Sequence, residues 1–325
     1  MTVAHRQPDR VPYVIGFTEP ARRKLVEHWG TEDLDSRIAN HVVMVEPSLP
    51  GGWRQVRPGY WQDEFGVLWN RTVDADIGNA EDFILQRMTL GDYAFPDPAD
   101  PARYETLRRT VQSRQDRYLM AALGFSLFER AWTLRGMEQL LVDMIDSPRF
   151  VDELLDRICE HNLVLIDHAC RFEIDAFHFG DDWGQQHGLI MGPVMWRRFI
   201  KPRLARMYAR VKRYGKTISI HSCGDITLVI PDLIELGLDI FNPFQPEVMD
   251  VRRMKSRYGK DLCFWGGVST QRTLPYGRPA DVRAEVEGLM RDIGAGGGYI
   301  LSPAHSIPKD VPVENILALI EAVQS

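Results

Sequence analysis

Short apolar runs recur along the chain, each followed by a polar stretch rich in Gly, Pro or Asp and then by a segment of helical periodicity. Eight runs read as strands: VPYVIGF (11–17), HVVMVE (41–46), YLMAALGF (118–125), DAFHFG (175–180), TISIHS (217–222), DIFNPF (239–244), LCFWGGV (262–268) and GYILS (298–302). Several are apolar on both faces, which suits parallel strands covered by helices rather than strands with one wet face. The helices between them have clear stops. PVMWRRFIKPRLARMYARVKRYG ends in a basic turn and Gly215, VRRMKSRYG and DVRAEVEGLMRDIGAGG also stop at Gly, and PVENILALIEAV opens on Pro312. From about residue 175 the alternation is regular and implies a parallel α/β sheet. Eight strands in 325 residues favour a closed (β/α)8 TIM barrel over an open doubly wound sheet, read here as a single domain over residues 1–325.

One segment breaks the pattern. GYWQDEFGVLWNRTV (59–73) has the turn residues and aromatics of an inserted β-hairpin, with Trp61, Phe65 and Trp69 placed to cover the barrel mouth or one end. Composition narrows the functional classes. A content of 44% hydrophobic and 26% charged residues is a globular balance, and a net charge of −6 without any basic block gives no nucleic-acid footprint. No run approaches the ~20 apolar residues of a membrane helix. The N-terminal MTVAHRQPDRVPYV lacks the apolar core of a secretory signal, so the expected compartment is the cytoplasm. Cys159, Cys170 and Cys263 sit in apolar helix or strand patterns and read as small core residues.

Cys223 is different. In TISIHSCGD, His221 and Cys223 are two apart at a strand end, so both project to one face with Cα atoms ~6.5 Å apart. That spacing suits an imidazole and a thiolate on one zinc, and Gly224 lets the chain turn away at once. A third ligand is expected from SPAHSIP (302–308), where His305 follows the last strand between two prolines. A His–Cys–His set leaves one tetrahedral position open, the catalytic arrangement. HFGDDWGQQHG (178–188) follows another strand directly, and Asp181 or Asp182 is the expected catalytic carboxylate, with Gln185 beside them as a substrate contact. Glu46, Asn242, Gln245 and Trp265 end or follow other strands and are further candidate substrate contacts. His187 and Asp225 are lesser candidates, and GAGGG (294–298) precedes a strand rather than opening a helix, so it reads as a turn.

HFGDDWG, KTISIHSCGD, WGGVSTQRTLPYG and ILSPAHSIPKDVPVENILALIEA together resemble the uroporphyrinogen decarboxylase superfamily, strongly over residues 170–325 and loosely before. The resemblance implies a (β/α)8 barrel and two main functional branches. Decarboxylases of the family bind a tetrapyrrole through arginines in an N-terminal Met-Arg-Gln-Ala-Gly-Arg segment, whereas this chain has VPYVIGFTEPARRKL. The other branch comprises zinc methyltransferases such as methylcobalamin:coenzyme M methyltransferase, which use a His-x-Cys pair and a later Cys. His221 and Cys223 match the pair, and His305 stands where the later Cys would be. The branch implies zinc as cofactor and a corrinoid (methylcobalamin) carried by a corrinoid-binding partner protein. The leading expectation is therefore methyl transfer between a small molecule and that corrinoid. The alternatives are a cofactor-independent decarboxylase of a tetrapyrrole or other carboxylated substrate, and a non-catalytic barrel that binds a tetrapyrrole or a partner. Imidazole in place of a thiolate leaves the set less anionic, which favours electrophilic activation of a methyl donor over generation of a thiolate.

Overall fold

The computed structural model describes residues 1–73, 78–114 and 116–325. Its strands, in chain order, are β1 (Val42–Val45), β2 (Arg54–Arg57), β3 (Tyr60–Gln62), β4 (Leu68–Asn70), β5 (Asn79–Glu81), β6 (Tyr118–Leu123), β7 (Ala176–Gly180), β8 (Gly184–Gln185), β9 (Gly188–Leu189), β10 (Thr217–His221), β11 (Ile240–Phe244), β12 (Cys263–Val268) and β13 (Tyr299–Pro303). Seven of them form one parallel sheet in the order β1-β6-β7-β10-β11-β12-β13. Helices cover its outer face, as the two-sided apolar pattern of the strands requires.

The eighth predicted strand, 11–17, closes the ring without forming a regular ladder. On the β13 side the Val14 N–H donates to the Leu301 carbonyl at 2.9 Å and the Leu301 N–H to the Pro12 carbonyl at 2.9 Å. On the β1 side, side chains take over much of the pairing. The Ile15 N–H donates to Asn40 Oδ1 at 2.8 Å, the Asn40 amide donates back to the Ile15 carbonyl at 3.0 Å, and the Tyr13 N–H donates to His41 Nδ1 at 3.2 Å. With the His41 N–H donating to the Tyr13 carbonyl at 3.1 Å, the result is a (β/α)8 barrel whose seam is held largely by two polar side chains.

The inserted hairpin is larger than its sequence shows. β3 and β4 pair antiparallel as expected, but β2 and β5 flank them in a four-stranded sheet. β2 reads RQVR and is exposed along its length, so it carries no period-two apolar signal. The insert is tied to the barrel by a buried ion pair. Asp63 accepts from the Phe65 and Val67 N–H groups and from Arg130 Nη1 at 2.9 Å, and the Arg130 guanidinium lies 3.8 Å from the Phe65 ring centre. The long helix predicted after residue 192 is also interrupted: a π turn, Trp196–Ile200, separates Gly192–Met195 from Lys201–Arg213. Pro202 explains it, since a proline inside a helix offers no N–H and crowds the preceding turn. No helix among the described residues is long and apolar enough to cross a membrane.

Arg130→Met would strand the Asp63 carboxylate in a nearly dry setting. Urea denaturation is expected to show a loss of about 3 kcal/mol, partly recovered when Asp63→Asn is added, as for other broken buried pairs.

Candidate functional site

The residues that face the bore change character from bottom to top. At the bottom, Val42, Met120, Ala176, Ile240, Cys263 and Ile300 form an apolar plug. One or two residues further along, the strands present His178, Ser219, His221, Asn242 and Ser302. Parallel register sets this layer: His178 lies opposite Ser219, and His221 lies opposite Asn242.

His221 is held in one orientation and one tautomer. Its Nδ1 is 2.6 Å from Asn242 Oδ1, while the Asn242 amide nitrogen donates to the Trp265 carbonyl at 3.0 Å. The second bond fixes which end of the amide faces the imidazole, so Nδ1 carries the proton and Nε2 keeps its lone pair. That lone pair points at Cys223, whose Sγ is 3.3 Å from Nε2. A tetrahedral zinc with bonds of about 2.0 Å to nitrogen and 2.3 Å to sulfur places such a pair about 3.5 Å apart. His305 completes the set, with donor atoms of all three residues within 4.8 Å of one another. Its ring centre is 5.7 Å from that of His221. A contraction of about an ångström brings three donors to zinc distances and leaves a fourth position open.

Two glycines make the turn at Cys223 possible. Gly224 has φ +82°, and a Cβ there would lie 2.4 Å from the Gly184 backbone. The β8 loop can therefore press directly on the turn, where the Asp225 N–H donates to the Gln185 carbonyl at 2.8 Å. Asp182 sits under the same turn, accepting from the Cys223 N–H at 2.7 Å, and lies 3.8 Å from His221 Nε2. Glu129, in the first turn of the helix Phe128–Arg135, is close enough to Asp182 for their charges to interact. Burial, then the charges of Asp182 and Asp181, hold Glu129 well above the usual carboxylate range. Burial, then the same acidic neighbourhood, keeps the Cys223 thiol protonated far above neutrality. Carboxylates gathered round a thiol and two imidazoles suit a cation, which would offset their charge and hold the sulfur as thiolate.

The other predicted residues fall into different places. Asp181 is fully buried and turned away from the mouth. It accepts from the N–H groups of Leu127, Phe128 and Glu129 and from the Trp183 indole, so it anchors the start of that helix. Glu46 is at the mouth, accepting from the Gly124 N–H at 3.3 Å, and crowding by the surrounding walls pushes its pKa up. Asn242 orients His221, and Gln245 Oε1 accepts from the Gly224 N–H at 3.3 Å. Gln185 lines a cleft outside the triad, whereas Trp265 lines a chamber inside it. The outer cleft is about 370 Å³ and includes Cys223, Gln245 and His305, while the chamber is about 130 Å³ and includes His178, His221, Trp265 and His305. His187 is exposed, on the loop between β8 and β9.

Sequence reading misses His178 and Glu129. His178 looks like an ordinary strand residue until register sets its Nδ1 2.8 Å from Ser219 Oγ, and burial then lowers its pKa to about 3. Glu129 lies more than fifty residues from its carboxylate neighbours, beyond any local pattern.

Asn242→Leu should free the His221 ring and weaken zinc binding by about 10- to 100-fold in a competitive chelator titration, with the melting temperature little changed. Because the half-buried thiol holds its proton, zinc uptake at pH 7 should release about one proton per chain and tighten as pH rises. Calorimetry in two buffers of different ionisation heat measures this, and Cys223→Ser should abolish the release.

Comparison with known proteins places the chain in a family. A family model described as uroporphyrinogen decarboxylase (URO-D) matches residues 82–325. The uroporphyrinogen decarboxylase of Erwinia tasmaniensis is 33% identical over 254 residues, covering 70% of this chain and 65% of that enzyme. That of Actinobacillus succinogenes is 22% identical over 243 residues, again 70% and 65%. The methylcobamide:CoM methyltransferase of Methanosarcina barkeri is 26% identical over 133 residues, covering 41% of this chain and 37% of that one. The chain thus spans less than two thirds of the length of each of these relatives. A methyltransferase from Methanosarcina mazei superposes with a TM-score of 0.71 at 16% identity, over 99% of this chain and 96% of that one, and so has the same fold. With the family model matching well over half of its length, this chain belongs to the uroporphyrinogen decarboxylase family.

Proposed function

We propose that this protein is a zinc-dependent methyltransferase that moves a methyl group between a small molecule and a corrinoid carried by a partner protein. The observation that carries the reading is the convergence of His221, Cys223 and His305 within 4.8 Å, between an outer cleft and an inner chamber. A zinc held there supplies Lewis-acid polarisation of the heteroatom that bears the methyl group. The protein's own residues do the rest. Asn242 holds His221 with its lone pair inward, and Asp182 fixes the Cys223 turn. One thiolate and two neutral imidazoles leave a divalent ion with net positive charge, which favours drawing electrons from a methyl donor over making a thiolate nucleophile. The methyltransferase relative from Methanosarcina barkeri supports methyl transfer to or from a corrinoid.

The decarboxylase relatives favour a second reading, release of CO₂ from a tetrapyrrole or other carboxylated substrate. Against it, neither the cleft nor the chamber is lined by Lys or Arg among the described residues. A ring carrying several carboxylates would meet no cation there.

Elemental analysis with an assay of corrinoid methylation tests the choice. Purified wild type is expected to hold about one zinc and to methylate cob(I)alamin from an O- or N-methyl donor. His221→Ala and Cys223→Ala should each lose the metal and at least 100-fold in rate. Methylation that survives zinc removal, or CO₂ release from a porphyrinogen instead, would overturn the proposal.

A further inference from the structure

The chamber inside the triad has a lining that restricts what can enter it. Its volume of about 130 Å³ is well below the ~300–1,000 Å³ of ordinary ligand pockets, so it admits a molecule of a few non-hydrogen atoms and no macrocycle. Val14, Met44 and Pro303 give it apolar walls, and apart from the histidines no ionisable side chain lines it. A polar group stands in its wall nevertheless. His178 is buried and lines the chamber, and its Nδ1 is engaged with Ser219 Oγ at 2.8 Å, which leaves Nε2 as the ring nitrogen available to a ligand. The ring is held between Trp265, with centres 5.5 Å apart, and His221, with centres 6.5 Å apart. A molecule beside His178 would share the chamber with His221 and His305.

We propose that this chamber is the subsite for a small uncharged molecule bearing a hydroxyl or ether oxygen, and that His178 Nε2 is the hydrogen-bonding group that selects it. Apolar walls without a carboxylate, beside a zinc of net positive charge, disfavour an ammonium group, whose desolvation nothing in the chamber would offset. The imidazole discriminates an oxygen-bearing molecule from a hydrocarbon of similar shape, because a buried polar atom left unpaired costs more than the bond itself gains. The subsite rests on the methyl-transfer reading only for the chemical step; occupancy itself requires no metal.

Cyclopentanol and cyclopentane, which differ by one hydroxyl, serve as probes in saturation-transfer NMR titrations of the zinc-loaded and the metal-free protein. Cyclopentanol is expected to bind more tightly to both forms. His178→Phe should weaken cyclopentanol about tenfold, leave cyclopentane unchanged and leave zinc content unchanged. Equal affinities of wild type for the two probes, or an unchanged cyclopentanol affinity in His178→Phe, would overturn the assignment. Gly16→Leu provides a second arm that does not depend on that variant folding. Gly16 lines the chamber, and a Cβ there meets only Ser306 Oγ, at 3.6 Å, so the larger side chain has room to grow into the chamber. It should abolish binding of both probes with zinc retained, whereas retained binding would place the probes elsewhere. Binding intact in a protein that transfers no methyl group would support the subsite while removing the catalytic reading.

Discussion

Closing eight parallel strands onto one axis makes every second residue of each strand share a single narrow bore, and the site depends on that constraint. The bore cannot be uniformly polar, because unpaired polar groups far from water are costly. It is dry and apolar at the bottom, where Met120, Ile240 and Ile300 meet, and polar only in the layer that opens to the mouth. Within that layer the ladder register decides which polar groups touch. His178 meets Ser219 and His221 meets Asn242 because those residues are paired across β7, β10 and β11. Each imidazole is thereby held at one nitrogen and presents the other to the cavity.

The surroundings keep this layer rigid by means that differ from one side to the other. Asn40 and His41 complete the barrel seam with side-chain bonds beside a single backbone bond from the His41 N–H to the Tyr13 carbonyl. Gly184 and Gly224 let two backbones touch, so that the Cys223 turn is clamped by the β8 loop. Electrostatics work in the opposite direction. Asp182 and Glu129 crowd carboxyl groups near a half-buried thiol, which disfavours the ionised forms of Glu129 and Cys223 until a cation is present to offset the charge. The fold thus holds the donors close while their charges oppose an empty site.

Much of this is legible in the sequence, for identifiable reasons. All seven strands of the parallel sheet are among the eight runs read as strands, because two-sided apolar runs are hard to mistake in a regular alternation. His221 and Cys223 follow from period-two geometry at a strand end, and His305 from its place after the last strand. Other features depend on register or distant contacts, which one-dimensional patterns do not carry. Asn242 reads as a substrate contact and does line the chamber, but its bond to His221 is not legible, because that partner lies on the neighbouring strand. Asp181, one of the two carboxylates considered for the mouth, caps the helix at Phe128 through three backbone N–H groups more than fifty residues away. β2 escapes notice because an exposed strand bounded by arginines has no apolar period.

X-ray absorption at the zinc K edge of the zinc-loaded protein is the most direct test of the proposed geometry. A four-coordinate zinc is expected, with one sulfur at about 2.3 Å, two imidazole nitrogens at about 2.0 Å and one further light atom. A spectrum with no sulfur neighbour, or with six oxygen or nitrogen neighbours, would mean that His221, Cys223 and His305 do not share an ion.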